Sequence, residues 1–375
     1  MTRARIAVVG GGYFAAFHLE GWRDAGAQVV ALCDLDHVRC ASLASRFGIP
    51  QTFADAERML DVVQPTLLDV VLPPAAQASV VAAALQRGLP TICQEPFGHD
   101  LAQARALAAL AARLQVPLVV HENFRFMPWF RECRRLIDAD FFGRLHGISF
   151  RLRPGDGQGP QAYLDRQPCF QQMPRLLVRE TAVHFIDCFR YLMGEVHAVS
   201  ARLRRLNPVL AGEDAGIIVF EFDDDRAGLF DGNRLNGHQA LNPRRTMGEM
   251  WLEGEAGVLR LDGDARLWFK PHAGAEAEHR YDAGPTTAFG GACTALQNHV
   301  LQHLGVMMTA NLAIALYTPP VGGTLFVAAK LANVGIGEIT RHLWLLMTAT
   351  FAVVLLVTYM PQLWLWLPRI IASWH

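Results

Sequence analysis

Glu180, His184 and Asp187 lie in the segment Arg179-Glu-Thr-Ala-Val-His-Phe-Ile-Asp187. Steps of four and three residues put all three on one face of a helix. A histidine that titrates near neutrality and is oriented by a carboxylate can take a hydroxyl proton while a hydride leaves the adjacent carbon. A plain surface ion pair has the same spacing, so the chemistry needs a second element: a hydride acceptor. Gly10-x-Gly12-x-x-Ala15 supplies a candidate site for one. Gly10 permits a tight turn, Gly12 lets a diphosphate approach the backbone, and Ala15 allows close helix–strand packing. The helix start at Tyr13 and Phe14 favours an anion through its N–H groups and dipole. Asp34 stands 22 residues after Gly12, near the spacing of a carboxylate that holds a ribose diol.

These residues must be positioned by strands that alternate with helices. Ile6–Val9 is a short β-branched run suited to a strand covered on both faces. Helix Tyr13–Arg23, strand Gln28–Cys33, a helix near Asp36–Arg46, strand Leu67–Leu72, helix Gln77–Arg87, strand Pro90–Cys93, helix Leu101–Leu114 and strand Pro117–His121 follow. This alternation predicts a parallel, doubly wound sheet, an α/β Rossmann domain over residues 1–124. Ligands of such sheets lie beyond the carboxyl ends of the strands. That rule singles out Gly10 to Phe14, Asp34, Pro73, Gln94-Glu95-Pro96 and Glu122-Asn123. His121 reads as a residue that satisfies a strand end.

Beyond Phe124 the pattern changes. Helix Trp129–Asp138, strand Leu145–Arg153, a glycine- and proline-rich loop from Pro154 to Pro160 and a long helix Leu177–Met193 come first. Strand-like runs Val196–Leu203, Gly216–Phe222, Ala227–Asp231, Met247–Leu252, Val258–Leu261 and Arg266–Phe269 come next, separated by aspartate-rich turns. They predict an α+β domain over 125–303 with a large, mostly antiparallel sheet. Asn123, Arg125, Tyr163 and Asp187 are the candidates for substrate contact; Arg153, Asp165 and Arg166 are weaker ones.

Gly10-x-Gly12-x-x-Ala15-x-x-His18, Asp34, Leu72-Pro73-Pro74, Gln94-Glu95-Pro96 and the Glu180–His184–Asp187 helix occur in that order. Together they resemble the Gfo/Idh/MocA oxidoreductases, the family of glucose–fructose oxidoreductase and inositol dehydrogenase. The resemblance implies an NAD(P)-binding domain held by Gly10, Gly12, Tyr13, Phe14, Asp34, Pro73, Gln94 and Glu95. It also implies a sugar, cyclitol or polyol substrate, and a homo-oligomer formed through the open sheet. It maps the family histidine to His184 and the acid position to Glu180. Asp34 favours NAD over NADP, because a carboxylate repels a 2′-phosphate. One position departs: the family's Glu-Lys-Pro is Gln94-Glu95-Pro96 here, so Glu95 stands where a lysine would steady a developing alkoxide. An NAD-binding module without catalysis is therefore the alternative reading.

Composition bounds the remainder. The 375 residues carry a formal charge of -1, only Lys270 and Lys330 as lysines, and seven scattered cysteines with no C-x-x-C pair. No basic stripe argues for nucleic acid, and no histidine or cysteine spacing argues for a metal. From Leu304 to His375 the charged residues are Lys330, Glu338, Arg341 and Arg369. Leu343–Met360 is uncharged and long enough to span a bilayer, with Trp344, Tyr359, Trp364 and Trp366 near its ends. Residues 304–375 thus predict an α-helical membrane hairpin that tethers a cytoplasmic oxidoreductase to the inner or plasma membrane. Asn311 to Gly322, with its Thr318-Pro-Pro-x-Gly322 segment, resembles the C-terminal end of the DctM-like large permease subunit of TRAP transporters. A transporter-subunit reading rests on this segment alone.

Overall fold

Strand β1 (Arg5–Val9) is the centre of a six-stranded parallel sheet, and its residues Ile6 to Val9 are buried. With β2 (Gln28–Cys33), β3 (Thr52–Phe53), β4 (Leu67–Val70), β5 (Thr91–Gln94) and β6 (Leu118–His121) it forms the order β3-β2-β1-β4-β5-β6. The order reverses beside β1, which opens a crevice at the carboxyl ends of β1 and β4. Helices α1 (Ala15–Asp24), α2 (His37–Phe47), α3 (Ala56–Val63), α4 (Pro74–Gln86) and α5 (Leu101–Leu114) cover the faces. Asp36, Asp55 and Asp100 cap α2, α3 and α5 by accepting the backbone N–H three residues on, at 2.7 to 3.0 Å. Such caps contribute about 1 kcal/mol each. The short β3 and the helix α3 were not expected from the sequence.

Helix α6 (Pro128–Asp138) leads to β7 (Leu145–Leu152), which lies inside an eight-stranded sheet. Helix α7 (Val183–Met193) packs on that sheet through Phe185, Phe189 and Leu192. Strands β8 (Val196–Arg204), β9 (Ala215–Phe222), β10 (Ala227–Asn233), β11 (Gly248–Gly254), β12 (Gly257–Leu261), β13 (Leu267–Pro271) and β14 (Ala277–His279) complete it. The order is β14-β13-β12-β11-β7-β10-β9-β8; β7 and β10 pair in parallel and the other neighbours antiparallel. The expected single helix Leu177–Met193 is in fact two windings, a π-helical stretch Leu177–Ala182 followed by α7.

The computed structural model describes residues 4–286 and 288–315 and scattered positions between Arg341 and Met360. The chain divides into two units, Met1–Leu296 and Gln297–His375, and helix α8 (Ala292–Ala315) contributes residues to both. Among the described residues no helix is long and apolar enough to cross a membrane. Most of the expected hairpin, including Thr318 to Gly322 and half of Leu343–Met360, lies outside the described residues.

Candidate active site

A cleft of about 820 Å³ opens along the carboxyl ends of the parallel strands and continues over the first turns before α7. Gly10, Gly12, Tyr13, Phe14, Asp34, Pro73, Gln94 and Glu95 all line it, as do Glu180 and His184. Gly10 has φ +107°, and a Cβ there would stand 2.1 Å from the Val71 carbonyl oxygen, so the turn admits only glycine. A Cβ on Gly12 would meet nothing within 4 Å, which leaves room for a ligand against the backbone. The Asp34 carboxylate accepts from the N–H groups of Gly11 (2.5 Å) and Asp36 (2.7 Å) and from Arg39 Nη2 (2.8 Å). Burial opposes its ionisation, but those donors outweigh it and hold the carboxyl below its usual range. The turn, the open Gly12 and an ionised acid at the end of β2 fit a dinucleotide with its diphosphate at α1 and its ribose at Asp34.

At the other end of the cleft His184 is held from three sides. Its ring stacks on Phe124 at 4.0 Å between centroids and 8° between planes. Its Nδ1 lies 2.8 and 2.9 Å from the two oxygens of Glu122. Its Nε2 points at Glu95 Oε2, 3.8 Å away. Burial works against the charge of His184, yet Glu122 and Glu95 outweigh it and push its pKa up to about 10. Glu95 moves the same way for a different reason: burial, reinforced by Glu180 and Glu122 and opposed by His184, pushes it up to about 8. Burial also raises Glu180, against the pull of His184 and the nearby arginines. The two shifts run in the same direction, favouring the protonated imidazolium of His184 and the protonated carboxyl of Glu95.

The orienting acid of His184 is therefore Glu122, not Glu180. Glu180 sits in the π-helical stretch, with its carboxylate near Arg166, Arg179 and Arg234. The substrate candidates are placed elsewhere. Asp187 is spent on a two-pronged ion pair with Arg125, whose guanidinium also lies over Tyr191; neither lines the cleft. Asn123 is buried, because its carbonyl accepts the Phe126 N–H (2.9 Å) in a 3-10 turn that carries its side chain into the protein. Tyr163 is buried behind the wall, its hydroxyl accepting from Arg234 Nε at 2.8 Å. The wall itself is built by Asp156, Arg166, Thr181 and Arg234. Asp156 lies 2.6 Å from Arg166 Nη2 and 3.0 Å from Arg234 Nη2. Of these, Arg166 is also one of the weaker sequence candidates. Among the described residues no group of three or more His, Cys, Asp or Glu side chains could hold a metal ion.

Residues 4–122 match the oxidoreductase family with an NAD-binding Rossmann fold, Gfo/Idh/MocA, and residues 130–260 match the Gfo/Idh/MocA C-terminal domain. Residues 294–363 match the DctM component of the tripartite ATP-independent periplasmic transporter. A D-apiose dehydrogenase of Paraburkholderia graminis is 35% identical over 71% of this chain and 70% of its own. An inositol 2-dehydrogenase of Mycolicibacterium smegmatis is 28% identical over 52% of this chain and 54% of its own. An oxidoreductase of Agrobacterium radiobacter, crystallised with NAD+, L-tartaric acid and magnesium, shares the fold at a TM-score of 0.74. It is 24% identical and covers 81% of this chain and 89% of its own. With the glycine turn, Asp34 and His184 in place, the chain belongs to the Gfo/Idh/MocA oxidoreductases and carries a DctM-type segment after them.

Proposed function

We propose that this chain is an NAD-dependent oxidoreductase that oxidises a secondary hydroxyl of a sugar, cyclitol or related polyol. The observation that carries the reading is the 3.8 Å gap between Glu95 Oε2 and His184 Nε2 inside the cleft. That gap is too long for a hydrogen bond, but an oxygen can sit about 2.8 Å from both atoms. A substrate hydroxyl there would give its proton to the Glu95 carboxylate while its oxygen faces the imidazolium N–H of His184. The bound nicotinamide supplies the hydride acceptor. His184 then takes over the cationic role that the family's lysine has at the Glu95 position. The dehydrogenase names of the related proteins support the substrate class. The ionised Asp34 supports NAD over NADP, since its charge repels a 2′-phosphate.

The match to the DctM component supports tethering of the oxidoreductase to the cytoplasmic face of a membrane. Val199, Leu203, Ile217, Val219 and Leu229, apolar and exposed on β8 to β10, support a homo-oligomer through the sheet. Titration with NAD and NADP followed by a polyol panel tests the main reading. If NAD binds, no polyol reduces it, and Glu95→Lys creates turnover, the site is a dinucleotide-binding module without catalysis. Membrane fractionation and sizing of the full chain test the other two.

A further inference from the structure

Arg39, Arg166, Arg234 and Arg244 line the cleft, and the first three are already paired. Arg39 Nη2 lies 2.8 Å from Asp34, and Arg166 and Arg234 share Asp156 at 2.6 and 3.0 Å. Arg244 differs. Among the described residues no carboxylate lies within ion-pair distance of it, and its Nη1 donates to the Tyr13 hydroxyl at 3.3 Å. That contact is at the long end for an N–H···O hydrogen bond, and its acceptor is neutral and half-exposed, so it holds the guanidinium weakly.

The place of that contact matters. Tyr13 follows Gly12 directly, just ahead of α1, where the free backbone N–H groups of the turn gather. Arg244 comes from the other domain, on the loop between β10 and β11, 231 residues further along the chain. The loop is braced. Asn242 Oδ1 accepts the Arg244 N–H at 3.1 Å, and the Asn242 carbonyl accepts the Arg245 N–H at 2.9 Å. The Arg245 side chain donates to the carbonyls of Asp264 and Ala283 at 3.0 and 3.1 Å, and Asp264 Oδ1 accepts the Leu241 N–H at 2.7 Å. The second domain thus holds an unpaired cation over the glycine turn on a fixed arm.

We propose that Arg244 is a binding residue for the dinucleotide's diphosphate, supplied across the cleft by the second domain. The inference rests on the reading of the glycine turn as the diphosphate site. A diphosphate brings two negative charges to this end of the cleft. The turn offers neutral N–H donors, and Arg39 is held by the Asp34 carboxylate, so neither supplies a free counter-charge. A phosphate oxygen is a much stronger acceptor for a guanidinium than a phenol oxygen, and the planar fork of arginine suits it. Arg244 therefore exchanges its long contact with Tyr13 for a charged one when the cofactor binds. The competing role is a structural strap, in which Arg244 only ties the two domains together through Tyr13.

Calorimetric titration of the full chain with NAD and with ADP tests this. ADP carries the diphosphate without the nicotinamide half. Arg244→Met keeps the apolar stem and removes the charge, so both affinities should fall about tenfold or more, by a similar factor. Affinity in the native chain should weaken with ionic strength more steeply than in the variant. Arg244→Lys keeps the charge but not the fork; it should bind both ligands more weakly than the native chain, and it serves if Arg244→Met fails to fold. The Tm of each variant without ligand reads the strap role separately. Unchanged affinities, with or without a lower Tm, overturn the proposal. So does a loss confined to NAD, which would put Arg244 at the nicotinamide half, or a loss with the salt dependence unaltered. A native chain that binds neither NAD nor ADP sinks the dinucleotide reading and this inference with it. Binding that Arg244→Met leaves intact sinks this inference alone. No readout needs turnover, so the expected binding losses without polyol oxidation would sink the oxidoreductase reading alone.

Discussion

Replacing Glu122 by glutamine removes one charge and little else. The new carboxamide oxygen can still accept the His184 Nδ1–H, and the side chain still fits beside the Phe124 N–H, which in the native chain donates to Glu122 Oε1 at 3.1 Å. The loss is the attraction between carboxylate and imidazolium. At about 4 Å between charge centres and an effective dielectric of about 20, that is ~4 kcal/mol. Divided by about 1.36 kcal/mol per pH unit, it lowers the His184 pKa by about three units. The native value is about 10, so the variant histidine loses its proton near neutrality. For polyol oxidation, the native kcat/KM should rise as Glu95 deprotonates through about 8 and fall as His184 deprotonates near 10. In Glu122→Gln the alkaline limb moves down past the Glu95 limb, so the two required states no longer overlap and the maximum collapses. The assay is the pH profile of NADH formation, with NAD affinity as the control and histidine NMR as a check on His184 itself. An alkaline limb that stays near 10 in the variant would refute the assignment of the His184 charge to Glu122.

Other outcomes follow from the same geometry. Gly10→Ala forces a Cβ to 2.1 Å from the Val71 carbonyl at φ +107°, so it should abolish NAD binding and lower Tm; calorimetry with and without NAD reads both. Asp34→Ser removes the repulsion of a 2′-phosphate and frees Arg39 Nη2, so the NADP-to-NAD ratio of kcat/KM should rise at least about tenfold. Folding raises the Glu95 pKa from 4.5 to about 8, so its contribution to stability is complete below 4.5 and lost as pH rises through about 8. Glu95→Gln should therefore raise Tm above pH 8, by an amount worth a few kcal/mol, and leave it little changed in acid. Arg234→Leu strands the half-buried Asp156 beside Arg166 alone and should cost about 3 kcal/mol in urea unfolding.

Strand–helix alternation, the glycine turn and Asp34 were legible because each depends on local residue types and short spacing. β3 and α3 were not, since two strand residues carry no periodicity and Ala56–Val63 is a helix of eight. The Glu180–His184–Asp187 face was drawn for a uniform α-helix. The π-helical winding at Leu177–Ala182 and the pull of Arg125 on Asp187 redistribute those side chains. The rule that ligands gather at strand ends had already singled out Glu122-Asn123. It could not say which of the two would meet His184, because that depends on the 3-10 turn at Phe124–Phe126. Partners far apart in the chain, such as Glu122 with His184 or Arg234 with Asp156, are set by tertiary packing and leave no spacing to read.

The departure from Glu-Lys-Pro to Gln94-Glu95-Pro96 is best understood as two changes that need each other. A lysine at 95 would put a cation beside His184 and hold that ring neutral; a carboxylate there does the reverse and helps to charge it. On the proposed mechanism the positive charge next to the reacting oxygen is kept but moved from one side chain to another, and the proton acceptor moves the opposite way, from histidine to Glu95. A glutamate at 94 would then face Glu95 as a second carboxylate, and at a buried contact two such charges repel strongly. Glutamine at 94 instead donates to Glu95, while its carboxamide oxygen lies 2.6 Å from His18 Nε2. On this reasoning Gln94→Glu alone should impair the chain more than Gln94→Glu combined with Glu95→Lys. A double-mutant cycle on kcat/KM would show it as strong non-additivity, and simple additivity would separate the two positions.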